Sequence, residues 1–147
     1  MMVILMRTLN RIIFVLSLAG VLIASYVLQS WLRHAPIVCL TGGCETVRKN
    51  PAAWPIGIPV PGVGLVGYVI LSVCAFLRTM KFSRRAGDTL IRIMLGMSVF
   101  GVCFVTWFTY TELFVIHGIC MWCAISTIDM YIVCALTLSV FLRERTK

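Results

Sequence analysis

The sequence predicts an all-α protein: an integral-membrane four-helix bundle with one long exported loop and both termini cytoplasmic. Three observations carry that expectation. The 147-residue chain is 61% hydrophobic and 12% charged, with a mean hydropathy of +1.01, more apolar than a soluble core of this size requires. Four apolar runs approach the roughly 20 residues that cross a bilayer at about 1.5 Å each. The basic residues gather in short clusters between those runs. The formal charge of +8 therefore reads as a topology signal, and without interleaved stacking aromatics it does not point to nucleic acid. Residues 1–147 are expected to form a single domain.

The first span is bounded by charge, since nothing charged lies between Arg11 and Arg33. Its apolar stretch exceeds the usual 7 to about 15 residues of a signal peptide and ends in no clean small-residue cleavage site, so it is expected to be retained. The second span runs from about Pro61 to Leu77, the third from about Leu90 to Thr111 and the fourth from about Gly118 to Leu142. Lys and Arg counts orient them. Arg7 and Arg11, then Arg78, Lys81, Arg84 and Arg85, then Arg143, Arg145 and Lys147 mark one side, whereas Arg33, Arg48 and Lys49 stand alone on the other. The richer side is the cytoplasmic one.

The exported loop, His34 to about Val60, carries Cys39-Leu-Thr-Gly-Gly-Cys44-Glu45. Its paired glycines permit the positive-φ turn that brings nearby sulfurs together. Three prolines in Trp54-Pro-Ile-Gly-Ile-Pro-Val-Pro61 oppose a regular helix until Pro61 or Gly62, and Trp54 is placed to roof the bundle or anchor at the interface. A turn over Glu112 to about His117 then leads to Cys120-Met-Trp-Cys123, which opens the fourth span. Cys74, Cys103 and Cys134 lie within apolar runs and are expected to be packing residues.

Topology puts Cys39, Cys44, Cys120 and Cys123 on one non-cytoplasmic side, where protein disulfides form and persist. Cys120 and Cys123, three apart at a helix start, can form a disulfide or a vicinal dithiol, and the unpaired N–H groups there favour thiolate. A reduced loop thiol can attack such a disulfide and pass two electrons inward. From there the natural acceptor is a lipid-soluble quinone. Projected at about 100° per residue from Cys120, Thr127, Met130, Tyr131 and Cys134 continue the cysteine face, and Thr127 and Tyr131 have hydroxyls for a quinone carbonyl. Asp129 projects to the opposite side and calls for a polar partner on another helix, with Arg92 a candidate. Glu112 and His117 are expected to flank the motif at the exported surface.

Other readings stay open on the residues alone. The four cysteines can serve as structural disulfides, or as the tetrathiolate of a zinc-binding module, in a non-catalytic membrane subunit. No metal is expected, because structural zinc usually knits a soluble domain rather than a lipid-embedded helix start.

Taken together, the loop Cys39 with Gly43-Cys44-Glu45-Thr-Val47, the run Gly57-Ile-Pro-Val-Pro-Gly-Val-Gly64 leading to Tyr68, and Ile119-Cys-Met-Trp-Cys123 resemble the vitamin K epoxide reductase family. The resemblance is strongest to its bacterial quinone-coupled members. It implies a membrane thiol oxidoreductase that supports disulfide formation. In that scheme Cys39 exchanges with an exported, DsbA-like thioredoxin-fold partner, Cys44 passes electrons to Cys120, and Cys123 meets ubiquinone or menaquinone. It further implies a bacterial inner membrane with the site facing the periplasm or exterior. Some bacterial relatives carry a fused thioredoxin domain; here the partner is expected to be separate, as the sequence stops at Lys147. Animal members have a tyrosine four residues after the second motif cysteine where this chain has Thr127, and their vitamin-contacting asparagine has no match in Ile58 to Pro61, so epoxide reduction is not implied.

Overall fold

A computed structural model of the chain describes residues 2–40, 42–80 and 84–146. Lys81 and Lys147 of the topology tally, and Thr41 of the loop motif, lie outside them. Helix α1 spans Met2–Leu32, α2 Gly43–Lys49, α3 Val60–Thr79, α4 Arg84–Thr111 and α5 Met121–Arg145. All but α2 are long and apolar enough to cross a membrane, and the protein is all-helical among the described residues.

The four long helices form a closed ring, α1 on α3, α3 on α4, α4 on α5 and α5 back on α1. Each buries one stripe. In α1 the buried residues Ile13, Ser17, Gly20, Ala24, Val27 and Trp31 recur every three or four positions, as do Met130, Val133, Thr137 and Val140 of α5, the spacing of one helix face. The opposite faces expose Leu22, Val66, Phe100 and Ile128. Such a surface suits lipid, where every backbone polar group must be satisfied inside the helices. Polar side chains tie the ring: Asn10 Nδ2 donates to the Ala75 carbonyl at 2.8 Å, the Tyr68 hydroxyl to the Ser126 carbonyl at 2.9 Å, and Arg78 Nη2 to Glu144 at 2.6 Å.

Two apolar cores stack along the bundle. One gathers Ile13, Tyr68, Leu71, Met94, Met130 and Val133; the other joins Val27, Trp31 and Phe108 to the loop residues Ile37, Cys44, Val47 and Ala53. The loop is more ordered than its composition suggests. It folds into α2 and two single 3-10 turns, Pro51–Ala53 and Pro55–Gly57. Seven residues are too few for a helix stable by propensity alone; α2 holds because Cys44 and Val47, three apart, are both fully buried. Trp54 caps this end, its ring 5.9 Å from that of buried Trp31 and its Nε1 donating to the Arg48 carbonyl at 2.8 Å.

The turn expected over Glu112 to His117 comes later. The chain continues from α4 through a π-helical turn, Glu112–Ile116, and reverses at His117, whose φ is 54°. The Gly118 N–H closes back on the Glu112 carbonyl at 3.1 Å. The donor is therefore six positions on from the acceptor, and Glu112, four residues after buried Phe108, continues the buried face of α4.

Candidate active site at the loop end of the bundle

Gly42, with φ of 68°, supplies the positive-φ turn, and Cys39 and Cys44 are joined by a disulfide with Cα atoms 6.2 Å apart. Two contacts dock this segment on the start of α5. Gly43 lies so close to the Ile119 backbone that any Cβ there would collide with it, and Trp122 Nε1 donates to the Val38 carbonyl at 2.8 Å. As a result the Cys120 sulfur stands 3.4 Å from the Cys44 sulfur across 76 residues of sequence. Neither cysteine has any exposed surface. A thiolate attacks a disulfide sulfur it touches, and this pair is already in contact.

Cys120 is the N-cap residue of α5, with φ of −85° and ψ of 118°, and Cys123 lies one turn in. The Cys123 thiol and then the Trp122 and Cys123 backbone N–H groups hold the Cys120 thiol below the ordinary cysteine value, at about 7, against the opposing effect of burial. The hydrogen bond from the Cys123 thiol is the largest source of that preference for thiolate, and the unpaired N–H groups at the helix start add to it.

Cys123 faces the other way, into a cavity between the helices. Val27, Gly64, Tyr68, Phe104 and Phe108 form apolar walls, and Ser126, Thr127 and Met130 continue the α5 side. The cavity measures about 70 Å³, below the roughly 300 Å³ at the small end of ligand sites, so a bound ring would part these side chains. An apolar slot with a sulfur and a few hydroxyls along one wall suits a flat, apolar ring bearing carbonyls.

Thr127 lines this cavity, its hydroxyl donating to the Cys123 carbonyl at 2.9 Å. Tyr131 does not; it is exposed, and its hydroxyl pairs with Thr106 at 2.6 Å. The reason is the reference point. Cys120 sits outside the helix, so a projection from it is rotated; projected from Cys123, Ser126, Thr127 and Met130 fall within about 60° and Tyr131 about 80° away. Asp129 does turn from the cavity, but it lies beside Tyr68 rather than Arg92, which is exposed. Cys74 is buried as expected, while Cys103 is exposed on the apolar surface.

Glu112 is the correction with most consequence. It is not at the surface: 2% of it is exposed, and its carboxyl, the Cys120 sulfur and the Cys123 sulfur all lie within 4.8 Å of one another. The signal was present in the sequence, since a carboxylate at the end of an apolar span demands a reason just as Asp129 does. His117 remains exposed.

The family model described as the vitamin K epoxide reductase family matches residues 11–138. The chain belongs to that family. Among curated proteins, none matches the chain. Membership in the vitamin K epoxide reductase family, with four spanning helices and the cysteines above, makes the chain an integral-membrane thiol oxidoreductase.

Proposed function

We propose that the protein oxidises an exported thioredoxin-fold partner through Cys39 and Cys44, moves the electrons to Cys120 and Cys123, and reduces a membrane quinone. The observation that carries this reading is the 3.4 Å contact between the Cys44 and Cys120 sulfurs, which links a pair on a docked loop to a pair at the head of a spanning helix. The asymmetry of Cys39, half-buried, and Cys44, fully buried, supports Cys39 as the sulfur a partner reaches and Cys44 as the one that hands on.

In this cycle the partner's dithiol reduces the Cys39–Cys44 disulfide and leaves oxidised. The Cys44 thiolate then attacks Cys120 of a Cys120–Cys123 disulfide, Cys123 departs as thiolate, and Cys39 resolves the mixed bond. The outer pair is thereby oxidised and the inner pair reduced, the arrangement described above. Quinone, when bound beside Cys123, supplies an acceptor for two electrons and two protons. Cys123 delivers the electrons, Thr127 and Ser126 are the hydroxyls on the same wall, and the aromatic walls exclude water. The surplus of Arg and Lys at the far end supports a sulfur end facing the periplasm or exterior of a bacterial inner membrane.

The test uses purified protein in quinone-loaded vesicles, with quinone reduction followed by absorbance. Cys123→Ser should abolish reduction by any thiol donor, whereas Cys39→Ser should block a reduced thioredoxin-fold protein but spare a small dithiol. Full turnover by Cys123→Ser would sink the reading.

A further inference from the structure

Glu112 is a buried carboxyl that pairs with no cation among the described residues. The charged residues of α2, which packs against its turn, are engaged with each other: Arg48 pairs with Glu45 at 2.7 Å and Lys49 with the same carboxylate at 3.9 Å. The groups that face Glu112 are instead the Cys120 and Cys123 thiols and the Cys120 backbone N–H at the start of α5. His117 on its own turn is exposed. One carboxyl oxygen, Oε1, is buried with no hydrogen-bond partner, an arrangement that costs stability unless it serves a purpose. The neighbouring thiols supply one. Each time they become a disulfide, two protons must leave the sulfurs in a site closed to water.

We propose that Glu112 is a catalytic residue that accepts the proton of Cys123 as the inner dithiol is oxidised, and returns it when Cys123 is released as thiolate. This rests on the reading that electrons leave through Cys123. The balance is complete: two thiols give one disulfide, two electrons and two protons; the electrons go to quinone, which takes up two protons to become hydroquinone. The Cys123 proton moves to Glu112, which holds it while the pair is a disulfide and gives it back when Cys123 is released; the two protons quinone takes up come from solvent, which regains two when the outer dithiol is oxidised. The Cys120 proton is lost separately, and its loss is already favoured at neutral pH by the helix start.

Glu112→Gln keeps the shape and removes the base. Oxidation of the reduced inner pair by quinone in vesicles should slow roughly 100-fold, at the low end of what general acid–base groups contribute. Of its acid limb, the share set by protonation of Glu112 should be lost, leaving the fall that follows the Cys120 thiol below about 7, and Glu112→Asp, which keeps the carboxyl, should restore that share. An unchanged rate and pH profile in Glu112→Gln would overturn the proposal. A second arm needs no quinone. In a Cys120→Ser background, Cys123 alkylation read by mass spectrometry from pH 5 to about 9 should follow two ionisations with Glu112 or Asp at this position and one with Gln. A single ionisation in all three proteins would overturn the proposal. Two ionisations in a protein whose parent never reduces quinone would support Glu112 and sink the quinone reading instead.

Discussion

The two ends of the bundle solve different problems with the same helices. At the basic end, contacts between spanning helices form a clamp: Arg78 reaches Glu144 at 2.6 Å and the Gly87 carbonyl at 2.7 Å, tying α3, α5 and α4 together. At the sulfur end the spanning helices do not by themselves bring the two cysteine pairs together. There a loop folds back, buries Cys44 and Val47, and meets α5 through Gly43, Val38 and Trp122. One end is built for permanence; the other holds two segments in register while bonds between them change.

The strongest way to break that contrast is Gly43→Val. The new side chain meets the Ile119 backbone, which cannot swing aside as a flexible side chain would, so α2 must lift. A displacement of about 1 Å at reacting atoms can cost roughly 100-fold. Trapping of a Cys44–Cys120 disulfide in a Cys39→Ser, Cys123→Ser background should fall by about that factor, with the helical content and the basic end unaltered. Efficient trapping would show that the loop reaches Cys120 by another route.

Acid should act on the sulfur end alone. With the Cys120 thiol held at about 7, its reactive form is the thiolate, which predominates above that value and falls about tenfold per pH unit below it. Alkylation of Cys120 in reduced protein should therefore be half-maximal near pH 7. The largest cause is the Cys123 thiol, so Cys123→Ala should move the half-point upward, toward the ordinary value of about 8.5. A half-point near 8.5 in the unmutated protein would remove the helix-start argument.

The same contrast explains what the sequence could and could not convey. The spanning helices were legible because length, apolarity and flanking Arg residues are local properties, and the approach of Cys39 to Cys44 because their spacing is short. Helix α2 was not, since Gly-Gly and seven residues argue against a helix until the burial of Cys44 and Val47 is known. Glu112 was misplaced because the helix was expected to end at Thr111, whereas α4 carries on into a π turn and Glu112 falls on its buried face, four residues after Phe108. The cavity was hidden for a different reason: Val27, Gly64 and Phe104 read alike whether they face lipid, each other or a ring. Asp129 was rightly turned from the cysteine face, yet Tyr68, its neighbour, lies on a helix whose register against α5 only the fold reveals.

The clamp should yield a smaller effect, confined to stability. Arg78→Ala removes bonds to two helices, and polar contacts between spanning helices average about 0.6 and reach about 1.7 kcal/mol. Unfolding in mixed detergent should report a loss of about 1 to 2 kcal/mol. Cys44–Cys120 trapping should be unchanged, and a coupled loss of trapping would mean the two ends are not independent.

Trp122→Phe should give the smallest change and the sharpest distinction. The substitution leaves an aromatic ring beside Tyr26, now 5.1 Å away, but deletes the bond from Nε1 to the Val38 carbonyl at 2.8 Å. A single hydrogen bond contributes about 1 kcal/mol net, roughly a fivefold shift in an equilibrium. Because the lost bond joins the Cys39 segment to α5, and the Phe ring keeps an aromatic group against the loop-end core, its cost should fall on local opening of the loop. Exchange of the Asn50 amide, which closes α2 on the Val47 carbonyl at 3.2 Å, should quicken about fivefold, while global unfolding of the spanning helices stays within about 0.5 kcal/mol of the parent. Unchanged exchange would show that Gly43 against Ile119 alone seats the loop.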